Sequence, residues 1–282
     1  FNPKNPDMVL KSQVTISQYQ VDKFNGWFTP STYGSNVNDG VTGKASRDFD
    51  KSTTNNLEWV TNFSTRIKNH QIRAMVGYSY NYGVNSGMSA ENWNFSSDGL
   101  TYNNLGSGLE AAKDGKTMMG SYKNDHKLIS FFGRVNYDYK GRYLAEVNMR
   151  YDGTSRFLRD NRWNLFPSFS LGWNMAREAF FEDLTDLIST FKIRGSWGEL
   201  GNQNTDNWYP FYRTIDINKD QWGNYALGSW LVNGVKPNIS KESALVSSLL
   251  TWEKTQTLDL GFDLSMLNNR LNVTFKRLLS ID

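Results

Sequence analysis

Between Lys127 and Tyr151 the chain repeats with a period of two. Ile129, Phe131, Val135, Tyr137, Tyr139, Tyr143, Ala145, Val147, Met149 and Tyr151 fall on one parity. Ser130, Arg134, Asn136, Asp138, Arg142, Glu146, Asn148 and Arg150 fall on the other, interrupted by Leu128, Phe132 and Leu144. Side chains of a strand alternate between its faces, so this stretch is extended, with one apolar and one charged face. Lys140-Gly141-Arg142 reads as a tight hairpin loop in which Gly supplies a positive φ. The phase survives the loop, which sets Tyr139 opposite Tyr143 and Asn136 opposite Glu146, with Arg134 diagonal to Glu146 and able to pair with it. Each arm is as long as a tilted strand crossing a bilayer, about 9–11 residues. A soluble sandwich shows the same alternation, so the hairpin leaves the class open.

Other segments repeat the pattern. Met8–Val21 alternates poorly, and the polar stretch Asp22–Thr53 reads as a loop. Leu57, Trp59, Thr61, Phe63, Thr65 and Ile67 then share one face of a second strand. After a turn at Lys68–Gln71, a third strand carries Ile72, Ala74, Val76, Tyr78, Tyr80 and Tyr82 on one face and Arg73 on the other. Gly83–Asp125, rich in Asn, Ser and Gly, reads as a long loop before the Lys127 hairpin. Strands are expected again over Asn164–Ala176, around Phe191–Trp197, over Trp252–Met266, and from Leu271 on. A short helical connection is expected over Arg177–Thr190, and a type I′ turn at Asn268-Asn269. Apart from the basic loop after Gly153, short and long connections alternate, as in an outer-membrane barrel with short periplasmic turns and long extracellular loops.

Composition narrows the class. No segment approaches the roughly 18 apolar residues of a membrane helix, and mean hydropathy is −0.60. Both facts are compatible with a barrel, whose strands hide their apolar content in alternation. A net charge of +3 with mixed signs gives no electrostatic footprint of a nucleic-acid binder. Aromatics reach 15%, and Tyr and Trp suit membrane–water interfaces because they are apolar at one end and polar at the other. Tyr137, Tyr139, Tyr143 and Trp173 lie near the short turns. Tyr80, Tyr82, Tyr151 and Trp252 lie near the long connections, which makes two girdles. Absence of Cys removes disulfides and thiolate chemistry. Neither His70 nor His126 has a partner at metal-ligand spacing, and Asp259 and Asp263 read as wall carboxylates rather than a glycosidase pair. No cofactor and no enzymatic activity are expected. The fold expected is all-β: an antiparallel transmembrane β-barrel segment spanning residues 1–282.

Several runs resemble SusC/RagA-type TonB-dependent outer-membrane transporters of Bacteroidetes. They are Gly133–Leu144, Arg150-Tyr151-Asp152-Gly153-Thr154-Ser155-Arg156-Phe157, Arg162–Ser168, Lys192–Gln203, Leu250-Thr251-Trp252-Glu253-Lys254-Thr255 and Asn268–Leu271. The Asp152–Phe157 and Trp252–Thr255 runs are the most specific. The resemblance implies a barrel of about 22 strands with a plugged lumen, of which this chain would supply about nine. It further implies a bacterial outer-membrane location, a plug domain and TonB-contacting segment upstream, and energisation through TonB. A SusD-like surface lipoprotein would be the partner, and an oligosaccharide or peptide the imported substrate. An interruption is expected at Lys276-Arg277-Leu278-Leu279, where the strand pattern changes abruptly. Under this reading Arg73, Arg134, Glu146, Arg150, Lys192 and Arg194 face the lumen, either solvating it or bridging to the plug. Trp208, Tyr209, Trp222 and Trp230, in the loop after the seventh strand, stack on substrate, contact the lid or pack the loop. The alternatives are a barrel segment serving as a scaffold in a larger envelope assembly and a surface-bound β-rich enzyme; the missing catalytic constellation disfavours the second.

Overall fold

The computed structural model describes residues 8–30, 43–95, 97–109, 118–205, 208–212, 215–217, 233, 240–242 and 249–281. Its body is one nine-stranded antiparallel sheet in sequential order. The strands are β1 (Val9–Thr29), β2 (Lys44–Ile67), β3 (His70–Trp93), β4 (Met118–Tyr139), β5 (Tyr143–Thr154), β6 (Trp163–Asn174), β7 (Ile188–Asn202), β10 (Glu253–Met266) and β11 (Leu271–Ile281). Two short strands, β8 (Ile215–Ile217) and β9 (Ser240–Glu242), pair with each other between β7 and β10.

The Lys127 hairpin has the expected register. Tyr139 pairs with Tyr143 and Asn136 with Glu146, and Arg134 lies 4.0 Å from Glu146. Lys140 and Gly141 both have positive φ. The Arg142 N–H donates to the Tyr139 carbonyl at 2.9 Å, which closes the turn. At the last hairpin Met266 pairs with Leu271. Asn268 and Asn269 take the positive φ of a type I′ turn, as does Leu267 before them. Two 3₁₀ helices, Met175–Arg177 and Ala179–Leu184, make the connection from β6 to β7. Pro167, which has no N–H to give, falls where the β7 ladder on β6 ends at Ser168.

Three expectations are corrected. Asp22–Thr53 and Gly83–Asp125 are not loops throughout. β1 continues to Thr29 and β2 begins at Lys44, while β3 reaches Trp93 and β4 starts at Met118. Alternation of apolar and polar residues weakens there because both faces of these extensions mix polar and apolar residues, yet the ladder of backbone hydrogen bonds is unbroken. Phe24 against Phe49 (ring centroids 4.8 Å) and the Lys44–Glu91 ion pair (2.8 Å) tie it together. Lys276–Leu279 is no interruption either, since β11 keeps its register on β10 to Ile281. Trp252, expected in a girdle, is buried at 6% exposure against Phe157 and Phe166.

The two faces of the sheet differ as the alternation requires. One ladder row crosses all nine strands: Leu10, Phe63, Ala74, Val135, Val147, Phe169, Trp197, Leu258 and Leu279. Every member is apolar. Phe131, Val147, Phe169 and Leu260 on this face are 50%, 36%, 42% and 53% exposed, so the apolar side is no sealed interior. Arg277 is a charged exception on it, opposite Leu260. The fully buried cluster is small and lies at the opposite end from the short turns: Phe157, Phe166 and Trp252, flanked by Leu128 and Leu250.

Candidate functional site

The polar face is the candidate site. Its central row runs Ser64, Arg73, Asn136, Glu146, Ser170, Ser196 and Asp259. Around it are a recess of about 500 Å³, lined among others by Arg73, Arg134, Glu146, Lys192, Arg194 and Asp259, and a larger one of about 1000 Å³ that reaches Arg150 and Trp252. Asn148 is the hub of the hydrogen bonding. Its amide nitrogen donates to Glu146 Oε1 (2.7 Å) and Ser168 Oγ (3.2 Å), while its oxygen accepts from Arg134 Nε. Arg150 donates to the Asp152 carboxylate (2.8 and 2.9 Å) and to Ser130 Oγ (2.9 Å). Arg194 pairs with Asp263 at 3.2 Å and Lys276 with Asp259 at 2.7 Å. Arg73 and Lys192, by contrast, have no carboxylate partner among the described residues. All six charged residues singled out in the sequence lie on this one face, and such half-exposed pairs contribute roughly 0–1 kcal/mol each. The face is therefore polar and cation-bearing, and its ion pairs are weak enough to exchange readily. Among the described residues no group of three or more His, Cys, Asp or Glu could hold a metal ion.

At the short-turn end, one ladder row gathers Ile67, His70, Tyr139, Tyr143, Trp173, Ile193, Phe262 and Phe275. Tyr137, one row further in, bonds His70 Nδ1 through its hydroxyl at 2.8 Å. Glu178, which the sequence reading passed over, binds this end together. It accepts from the Trp173 indole (3.1 Å) and pairs with Arg142 (3.2 Å). The Tyr143 hydroxyl above all, then the Trp173 indole and the Arg142 charge, hold its carboxyl below the usual Glu value. At the other end Tyr80 pairs with Ile129, Tyr82 with Lys127, and Tyr151 stacks on Trp163 at 4.9 Å. From the Tyr139 row to the Ile129 row a tilted strand climbs about 25 Å.

The two most specific sequence runs meet at the mouth. Asp152 is buried under Arg150, Gly153 accepts the Trp163 indole so closely that a Cβ would lie 2.6 Å from it, and Thr154 Oγ1 caps the Arg156 N–H at 3.2 Å. Ser155 exchanges two hydrogen bonds with Lys127, both 2.9 Å. Phe157, 1% exposed, packs edge-on to Trp252 at 5.8 Å. The Trp252 indole in turn donates to the Arg162 carbonyl at 2.9 Å. The Asp152–Phe157 run is thus a corner, and Trp252 is its lock.

Of the loop aromatics, Trp208 and Tyr209 are described, while Trp222 and Trp230 lie outside the described residues. Tyr209 receives the Asp125 N–H through its hydroxyl (2.8 Å) and donates back toward the Asp125 carbonyl (3.1 Å), capping the β4 edge where β5 has ended. The Trp208 ring lies under the Arg156 guanidinium (4.8 Å) and beside His126 (5.4 Å). His126 rests on Gly83, and its Nδ1 is buried without a hydrogen-bond partner among the described residues. Burial first, then the Arg156 charge, lower its pKa, partly offset by Asp125. Both described aromatics thus pack the loop onto the mouth. No sequence period announced that contact, because it joins residues far apart in the chain.

An open antiparallel sheet with an apolar face, a wet opposite face and short turns at one end defines a β-barrel wall of the outer-membrane kind. The chain belongs to the TonB dependent receptor-like, beta-barrel family, whose model matches residues 5–276. It is 33% identical over 254 residues to TonB-dependent receptor P3 of Formosa agariphila, covering 89% of this chain and 23% of that protein. It is 36% identical over 151 residues to TonB-dependent receptor SusC of Bacteroides thetaiotaomicron, covering 54% of this chain and 14% of SusC. In fold it superposes on the structure of the RagAB peptide transporter with a TM-score of 0.75 at 19% identity, over 98% of this chain and 28% of that one. The SusC/RagA-type resemblance of its motifs therefore holds, and the chain spans less than a quarter of the curated relatives it matches.

Proposed function

We propose that residues 1–282 are part of the wall of a TonB-dependent importer in the bacterial outer membrane, moving an oligosaccharide or peptide through its lumen. The nine-strand apolar row carries this reading. A continuous apolar belt without a covering layer suits hydrocarbon, and the charged row behind it suits a water-filled lumen. The ladder row with Tyr139, Tyr143 and Trp173, and the level of Tyr80, Tyr82 and Tyr151, serve as the two interfacial girdles. Arg73 and Lys192, which have no carboxylate partner among the described residues, would bridge to a plug that has to let go under force. TonB supplies that force, and a SusD-like lipoprotein closes the mouth over the Trp208 loop. The RagAB structure is described as that of a peptide transporter, which supports the peptide branch of the substrate class. No bond-making step is assigned to the chain.

The test is uptake of a labelled oligosaccharide and peptide panel by cells carrying the full-length protein, with and without TonB, together with affinity purification. Uptake of one substrate class that needs TonB, with a single SusD-like lipoprotein co-purifying, is expected. Uptake unaffected by TonB loss, or a large set of unrelated envelope subunits in place of one lid, would overturn it in favour of a scaffold.

A further inference from the structure

Three apolar side chains break the polar face of the Lys127 hairpin. Leu144 stands opposite Gly172 at the short-turn end, and Leu128 flanks the Phe157, Phe166 and Trp252 cluster. Phe132 lies outside that cluster. In the ladder it pairs with Gly77 on β3 and Arg150 on β5. Its ring fills the space over Gly77, where a Cβ would collide with it, and the Arg150 guanidinium sits over the ring at 5.7 Å. Met75, two positions before Gly77, is its diagonal neighbour across the β3–β4 ladder. Phe132, Met75 and Leu128 are each half-buried, and all three line the larger recess of about 1000 Å³. They form an apolar patch on an otherwise polar wall, above the central charged row and toward the mouth.

The charges around the patch are matched within the wall. Arg150 is held by Asp152 and Ser130, Arg134 by Asn148 with Glu146 at 4.0 Å, and Glu199 lies 3.7 Å from Lys254. None of these pairs calls for an ionised group on a ligand. Ser168, Ser170, Ser196 and Thr257 on the same recess add hydroxyls, which both donate and accept, as a peptide group does. A sugar would need a bare ring face to stack on. Gly77 and the guanidinium occupy the Phe132 ring, while Met75 and Leu128 are aliphatic, so the patch offers rims and branches instead of a flat platform. An uncharged stretch of peptide carrying an apolar side chain matches both halves of the lining.

We infer that this recess is a subsite for the apolar side chain of a translocating peptide, with Phe132, Met75 and Leu128 as its contacts. The inference rests on the importer reading above and narrows its substrate class. The charged row nearer the short turns stays with the plug, and the recess above it selects peptides by an apolar residue.

Competitive uptake by cells carrying the full-length protein tests it, using an equimolar pair of end-capped, labelled pentapeptides that differ only in a central Leu or Ser. The ratio taken up does not depend on how much of a variant reaches the membrane. The wild type should favour the Leu peptide about tenfold, the scale of one apolar side chain moved out of water. Phe132→Ser should bring the ratio to within about twofold of parity, and Phe132→Leu should keep most of the preference. A benzophenone side chain at position 132 should crosslink to the Leu peptide on illumination. Parity in the wild type, an unchanged ratio in Phe132→Ser, or a crosslink to the protein's own upstream region would overturn the assignment. So would uptake of a neutral oligosaccharide in preference to both peptides, slowed by Phe132→Ser. Uptake that ignores TonB sinks the importer reading, whereas TonB-dependent uptake of both peptides at equal rates sinks this subsite alone.

Discussion

The lower and upper parts of β1–β4 are built on the same ladder and differ in what surrounds them. Below the Tyr82–Lys127 pair, side chains alternate between an apolar and a polar face, as in the row through Phe63, Ala74 and Val135. Above it the ladder continues to Thr29, Lys44 and Trp93 with both faces mixed, as in the row Asp22, Lys51, Ser86 and Lys123. The ladder joining β1, β2, β3 and β4 runs through both. The apolar alternation therefore reports the solvent on each side of a strand and not the strand itself. Hydrocarbon demands one apolar face; water on both sides demands none.

That contrast can be attacked in several places. The largest effect is expected at the junction of the two regions, where Phe157 holds the β5–β6 corner against Trp252. Phe157→Ala should cost about 3–5 kcal/mol, as for a fully buried aromatic, read by urea unfolding of the full-length protein in detergent. A cost near zero would show that the corner does not fasten the mouth. Within the lower region, Val147→Arg should cost about 2–4 kcal/mol. On the neighbouring polar position Asn148→Arg should cost clearly less, although it breaks half-exposed hydrogen bonds to Arg134, Glu146 and Ser168, a result that equal costs would contradict. In the upper region, Met88→Arg sits on the same face as Val147 yet should fall within about 0.5 kcal/mol of wild type, since water already bathes it. A cost like that of Val147→Arg would move the membrane boundary upward.

The smallest effect concerns the loop that bridges the mouth. Docking keeps His126 neutral by burial and by Arg156, so its folded pKa lies below the free value. The contact is therefore complete above the free histidine pKa of about 6.5 and weakens as pH falls through the lower, folded value. Protection of the Asp125 amide, followed by hydrogen exchange corrected for intrinsic rate, should drop between neutral pH and about pH 5. His126→Phe should flatten that dependence, and a profile unchanged by the substitution would remove His126 from the clasp.

How far the sequence disclosed this depended on which force placed each residue. Where hydrocarbon constrains one face, as over Lys127–Tyr151, period and turn chemistry predicted strand, register and face together. The six charged residues were placed on the polar face for the same reason: each sits on the polar parity of an alternating strand. The extensions of β1–β4 were missed because a strand wet on both sides, such as Asp22–Thr29, carries no period and resembles a loop in composition. Trp252 was misplaced because an aromatic at a strand end looks the same whether it points at an interface or into a corner. Only its partner Phe157, far away in the chain, decides between them. Glu178 and His126 act through tertiary contacts that leave no local mark.

Phe169 and Ser170 on β6 test the central claim most directly, because they are adjacent and face opposite ways. Spin labels on Phe169→Cys and Ser170→Cys of the full-length protein in lipid bilayers report collisions with dissolved oxygen, which concentrates in hydrocarbon, and with a water-soluble nickel chelate. The account predicts oxygen-dominated relaxation at position 169 and chelate-dominated relaxation at 170. The opposite pattern, or the same accessibility at both, would contradict it.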